Sequence, residues 1–123
     1  MPVLIVDASA VGAMIFGEPQ AQEIAERLSE GPLAAPALVW FELASICLKK
    51  IKAHPNLEVK LIQAFRMSGN LEIKIVAVDH NEVVQLAREK GLTAYDANYL
   101  WLARELNGTL VTLDELLLKK LKK

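Results

Sequence analysis

Residues 3–16, VLIVDASAVGAMIF, pass directly from an apolar run to an acid and then to small and apolar residues. Val3 to Val6 is continuous, short and rich in β-branched side chains, which predicts a buried strand. Ala8 to Phe16 predicts a short helix closed by Gly17 and Pro19. The same alternation continues along the chain. Apolar positions at helical spacing predict a helix over residues 20–30, stopped by Gly31-Pro32. Leu33 to Ala35 predicts a second strand, and Leu38 to Ala53 a long helix broken by His54-Pro55. Further helices are expected over 57–67, 81–90, 93–106 and 113–121, with strands over 72–79 and 110–112. Strands alternating with helices imply an α/β fold: a three-layer domain with a mainly parallel central sheet flanked by helices.

Size and composition narrow the function classes. The 123 residues carry a formal charge of −1 and are 53% apolar, which suits one domain over 1–123 with its own core. A single cysteine, Cys47, makes neither an intramolecular disulfide nor a Cys-rich zinc site, so a reducing, cytoplasmic setting is expected. The longest apolar stretch, Pro36 to Leu48, is interrupted by Glu42 and falls short of the ~20 residues that span a bilayer. No broad basic character marks a general nucleic-acid binder. One asymmetry stands out: there are eleven glutamates but only four aspartates, Asp7, Asp79, Asp96 and Asp114.

Asp7 follows the first strand directly, and Asp114 lies two residues past the last. In an open α/β sheet, ligands bind outside the carboxyl ends of the strands. Asp96 sits in the first turns of the helix in TAYDANYLWLA (93–103). Glu42 is the single charged residue in ALVWFELASICL (37–48). An ionised carboxylate in apolar surroundings needs a partner, a raised pKa or a metal. No lysine or arginine lies within four residues of Asp7, Glu42 or Asp114, and convergent carboxylates without cations suit a hard divalent ion such as Mg²⁺ or Mn²⁺. Each acid also has a purely structural reading. Asp7 can cap the first helix, Thr93 with Asp96 and Thr112 with Glu115 match capping boxes, Asp114 is then a first-turn acid, and Glu42 can face solvent.

VDASA (6–10), FELAS (41–45), TAYDANYLWLA (93–103) and LVTLDELL (110–117) together resemble the four acidic motifs of PIN-domain ribonucleases, most closely the VapC-type toxins of toxin–antitoxin pairs. The resemblance covers nearly the whole chain. It implies that Asp7, Glu42, Asp96 and Asp114 are the active-site acids and that Asp79 is not one of them. Ser9 and Thr112 match positions where small hydroxyl residues support the site. The implied activity is endonucleolytic cleavage of RNA by metal-activated water, with Asp7 and Asp96 as direct ligands of Mg²⁺ or Mn²⁺ and Glu42 and Asp114 completing the pocket. The implied partners are an RNA substrate, a VapB-like antitoxin and a second copy in a homodimer. The chain departs from many relatives by ending in LKKLKK without a further edge strand.

RNA binding calls for cations near the cleft. Lys49, Lys50 and Lys52 form one cluster and Lys119, Lys120, Lys122 and Lys123 another, and both equally suit solvated helix ends. His54 and His80 lack metal-ligand spacing. Trp40, Phe41, Tyr95, Tyr99 and Trp101 could stack on bases, but their helical contexts favour core or dimer packing. Met14 and Phe16 are expected on an exposed surface for the dimer or antitoxin. Two other functions remain open: a catalytically silent RNA- or protein-binding module on the same fold, and an aspartate-based phosphotransfer or receiver domain. The second is disfavoured by Ser9, where a haloacid-type signature needs a second Asp, and by the absence of a lysine ending the last strand.

Overall fold

The computed structural model describes residues 2–121. Among these, four three-residue strands, β1 (Leu4–Val6), β2 (Leu33–Ala35), β3 (Ile73–Ile75) and β4 (Thr109–Val111), form one sheet in the order β3-β2-β1-β4. Every pairing is parallel, with Ile5 opposite both Ala34 and Leu110 and Lys74 opposite Ala34. Seven helices connect or follow them: α1 (Ala8–Ile15), α2 (Ala21–Leu28), α3 (Leu38–Ala53), α4 (Glu58–Met67), α5 (His80–Lys90), α6 (Ala94–Glu105) and α7 (Glu115–Leu121), with 3-10 turns at Pro55–Leu57 and Ser68–Asn70.

Leu4, Ile5 and Val6 are all buried, so helices cover both faces of β1 and the three-layer α/β architecture holds. Helices α1 to α4 pack among themselves, while α5 packs on α6 and α6 on β1 and β4. Val39, Leu43 and Cys47, spaced by four, form the buried stripe of α3. Tyr99 and Leu102 do the same for α6, and each large apolar side chain so buried stabilises the fold by roughly 1.5–3 kcal/mol.

The third strand is shorter than its sequence pattern predicts, three residues instead of residues 72–79. Its one partner, β2, runs only from Leu33 to Ala35 before Pro36, and the last rung is Val76 N–H donating to Ala35 O at 3.0 Å. Residues 76–79 have nothing further to pair with. The last strand starts one residue earlier than expected and releases Thr112, whose side chain turns toward Asp7. Met14 and Phe16 are half-buried against the core instead of exposed. Gly91 ends α5 in the left-handed conformation, at φ 65°, as its position predicts.

Asn107-Gly108 reverses the chain from α6 into β4. Asn107 takes φ 49°, a conformation that asparagine tolerates better than most residues. A Cβ on Gly108 would sit 2.8 Å from both Cγ1 and the carbonyl oxygen of Val3, beside β1. Because the obstacle includes backbone, Gly108→Ala should destabilise the protein by about 1–3 kcal/mol, measured as a fall in Tm. An unchanged Tm would show that β1 yields to the new methyl group.

Candidate active site

The strand order places β1 between β2 and β4, so the chain runs outward from β1 in both directions. Connections diverge at that point and leave a crevice at the carboxyl ends. Asp7 leaves the end of β1 and Asp114 follows β4. Glu42 is on α3, which follows β2, and Asp96 is in the first turn of α6. All four line one cavity of about 480 Å³, whose other walls include Ser9, Phe41, Lys49, Tyr95 and Tyr99.

Asp7 is buried and held by three donors. Its Oδ1 accepts from Ser9 Oγ at 2.7 Å and from Ala10 N at 3.0 Å, and its Oδ2 accepts from Thr112 Oγ1. The bond to Ala10 N makes Asp7 the N-cap of α1, as its structural reading expects. A carboxylate has about four acceptor positions. With three filled, one is left for a ligand. Burial raises the Asp7 pKa above its usual value, and the charge of Asp114 adds to the rise against the three hydrogen bonds.

The two hydroxyls also join the loops. Leu113 N donates to Ser9 Oγ and Asp114 N to Thr112 Oγ1, each at 3.0 Å, and Ser9 Oγ lies 3.3 Å from Thr112 Oγ1. Helix α7 is capped differently from the expected Thr112–Glu115 box. Asp114 Oδ1 accepts from Leu116 N at 3.0 Å and Leu117 N at 3.2 Å, and α7 begins at Glu115. Thr112 is drawn away by Asp7, and Asp114 serves as the cap instead. Thr93 Oγ1 accepts from Asp96 N at 3.1 Å, so the predicted cap of α6 is present.

Glu42 is half-buried, not turned to solvent, and its Oε1 accepts from Tyr99 Oη at 2.5 Å. Burial raises its pKa, the Tyr99 bond opposes that, and Asp7 and Asp96 raise it further. Asp96 is likewise raised, by burial and then by Asp114 and Asp7. The phenol of Tyr99 is pushed far up by burial and by Glu42, so it remains a donor. Tyr99 is the site residue for which the sequence pattern favours core or dimer packing, and its bond to Glu42 is not foreseen there. Its signals were present: it stands three positions after Asp96 on one helix face, and a buried tyrosine, unlike phenylalanine, needs a partner for its hydroxyl.

The basic cluster on α3 divides. Lys50 pairs with Glu18 and sits 5.7 Å from the Phe16 ring centroid, away from the acids. Lys49 lines the cavity without an ion pair to any of the four acids. Lys119 and Lys120 belong to α7, and Lys122 and Lys123 lie outside the described residues. His54 and His80 are exposed, Asp79 caps α5, and buried Cys47 has its thiol pKa raised by burial.

Among the described residues, no three Asp, Glu, His or Cys side chains are drawn together closely enough to coordinate an ion as they stand. Neighbouring carboxylates also contribute to the raised pKa values of Asp7, Glu42 and Asp96, after burial. The donor set nonetheless suits a hard cation: every available atom is oxygen, and no donor among the described residues reaches Asp114 Oδ2 or Glu42 Oε2.

Fold and site together define an α/β protein with a carboxylate-lined cavity at the switch point of its sheet. The PIN domain family model matches residues 4–123, and the chain belongs to that family. It is 30% identical over 126 residues to Ribonuclease VapC3 of Pyrobaculum aerophilum, covering 95% of this chain and 93% of that protein. The crystal structure of PAE2754 from the same organism matches with a TM-score of 0.79 and 27% identity, over 98% of this chain and 81% of that one.

Because Asp7, Glu42 and Asp96 have raised pKa values in the fold, the folded state holds their protons more tightly than the unfolded chain. Their contribution to stability is therefore full at low pH and is lost as pH rises through the folded values. In chelator, Asp96→Asn should melt above the unsubstituted protein at about pH 7, with the gap closing toward about pH 4. Added Mg²⁺ should raise the Tm of the unsubstituted protein more than that of the variant. Identical melting at both pH values would contradict the burial and repulsion that raise the Asp96 pKa.

Proposed function

We propose that this chain is a Mg²⁺- or Mn²⁺-dependent endoribonuclease, one domain over residues 1–123, acting in the cytoplasm as the toxin of a toxin–antitoxin pair. The observation that carries this reading is the meeting of Asp7, Glu42, Asp96 and Asp114 on one cavity, in a relative of Ribonuclease VapC3. Asp7 and Asp96 are assigned as direct ligands, with Glu42 and Asp114 completing the site. A bound divalent cation supplies charge neutralisation at the scissile phosphate and a lowered pKa for the attacking water.

The chain's own residues supply placement and proton handling. Ser9 and Thr112 fix both oxygens of Asp7, so the carboxylate offers its remaining acceptor position without rotating. Tyr99 holds Glu42 by Oε1. Glu42 Oε2, unbonded and with its proton affinity raised, is the atom we assign to take a proton from water. A VapB-like antitoxin and a second copy of the chain are the protein partners of this reading. Exposed Leu48, Val59 and Met67 on α3 and α4 offer apolar surface for them.

Single-turnover RNA cleavage with Mg²⁺ or Mn²⁺ tests the assignment. Chelator, Asp7→Asn or Asp96→Asn should each abolish cleavage, and cleavage surviving all three would overturn the metal-nuclease reading. RNA that is bound but never cut by the unsubstituted protein would favour a silent binding module. Tyr99→Phe should fold normally yet lose about 10- to 100-fold in rate, the usual cost of removing a group that orients a ligand.

A further inference from the structure

Twelve large hydrophobic side chains are exposed among the described residues, and just two of them, Phe41 and Tyr95, are aromatic. Those same two line the carboxylate cavity, and none of the other ten does. Phe41 is 72% exposed and Tyr95 62%. Neither ring serves the core, although the sequence pattern assigns both to packing. The exposed aliphatic residues, such as Leu48, Val59 and Met67, lie outside the cavity. Among the exposed large hydrophobic residues, the aromatic ones stand at the acidic site and the aliphatic ones elsewhere, while half-buried Leu38 and Ile46 add to the apolar part of the cavity wall.

Each ring is set by its helix. Phe41 immediately precedes Glu42 on α3, and Tyr95 immediately precedes Asp96 on α6. A ring therefore accompanies one carboxylate on each of two separate elements. Lys49, two turns beyond Glu42 on α3, adds a cation to the same cavity. A substrate matching this lining carries phosphate for the acid-held ion and the lysine, and planar, unstacked rings for the aromatics.

We propose that Phe41 and Tyr95 are stacking platforms for unpaired bases flanking the phosphate presented to the cavity, and that Lys49 holds a neighbouring phosphate. Such stacking requires an unpaired segment of the RNA, because bases in a duplex have their faces covered by neighbours. The inference rests on the ribonuclease reading above and adds to it the residues that position the substrate. Stacking tolerates any base, since every base has a π face, so these rings set strandedness and register without reading sequence.

The test is binding by fluorescence anisotropy, with Mg²⁺ and in an Asp96→Asn background that prevents turnover. The probes are a 12-nucleotide mixed-sequence single-stranded RNA, its duplex, and an abasic strand of the same length. Phe41→Ala and Tyr95→Ala should each weaken binding of the single strand by about 5- to 150-fold, the range for loss of one base stack. Neither should change binding of the abasic strand, and Phe41→Trp and Tyr95→Phe should restore single-strand binding. Lys49→Ala should weaken the intact and abasic strands alike.

Equal affinity for intact and abasic strands, or a duplex bound as tightly as the single strand, would overturn the proposal. So would alanine variants that keep their RNA affinity but lose self-association in sedimentation, which would assign the rings to a protein interface. Cleavage by the chain without the background substitution is scored separately. Base-dependent binding without any cleavage would overturn the nuclease reading and leave the stacking platforms standing, whereas cleavage without base dependence would do the reverse.

Discussion

The carboxyl edge of the sheet is organised around one buried acid, Asp7, at the point where the chain turns from β1 into α1. Burial opposes its ionisation, and three donors offset that cost: the Ser9 and Thr112 hydroxyls and the Ala10 amide. Each donor brings a segment with it. The amide starts α1, and Thr112 anchors the exit from β4. Through their own acceptor positions, Ser9 and Thr112 also fix the amides of Leu113 and Asp114. A network in which every member is satisfied adds rigidity in a low-dielectric interior. Asp114 is thereby delivered to the cavity as the cap of α7.

The second tie crosses between helices. Tyr99 on α6 packs in the core beside β1 and spends its hydroxyl on Glu42 of α3. Since α6 packs on β1 and β4 while α3 packs with α1 and α4, this bond links the two helical groups at the mouth of the crevice. Its strength depends on both protonation states, because a neutral phenol donating to an ionised carboxylate is the favourable arrangement. The tyrosine's strongly raised pKa preserves the donor, and the carboxylate's raised pKa weakens the acceptor as pH falls.

Much of this was legible in the sequence because it is local. The LIV strand, the acid ending it, the Gly91 helix stop and the Thr93 cap are each set within a few residues, and each stands in the structure where the pattern places it. The four acids could be singled out because their surroundings are apolar or lie at strand ends. What the sequence hid is contact between distant segments. Tyr99 and Glu42 are 57 positions apart, and Thr112 and Asp7 are 105 apart. The Thr112–Glu115 capping box failed for that reason: a locally adequate cap lost its hydroxyl to a distant buried carboxylate. The lysine cluster divided because Glu18, 32 residues away, claims Lys50 and leaves Lys49 at the cavity. The third strand ended early because its length is set by β2 and Pro36, not by its own apolar run.

The near-neutral total charge hides a deliberate imbalance in space. Four carboxylates share one cavity whose single lining cation among the described residues, Lys49, pairs with none of them, and three have pKa values raised partly by the others. Such an arrangement costs stability in the empty protein and lowers affinity for any polyanion. A bound cation would reverse both effects together, relieving the repulsion and turning the cavity attractive to phosphate. A lysine placed among the acids would remove the repulsion permanently but would also occupy the oxygen atoms that a divalent ion would need. Setting the acids on separate elements, with Asp7 and Glu42 held by hydroxyls from distant segments and Asp114 capping α7, keeps the repulsion small enough for the fold to tolerate, and a divalent ion, on the function proposed above, would relieve what remains.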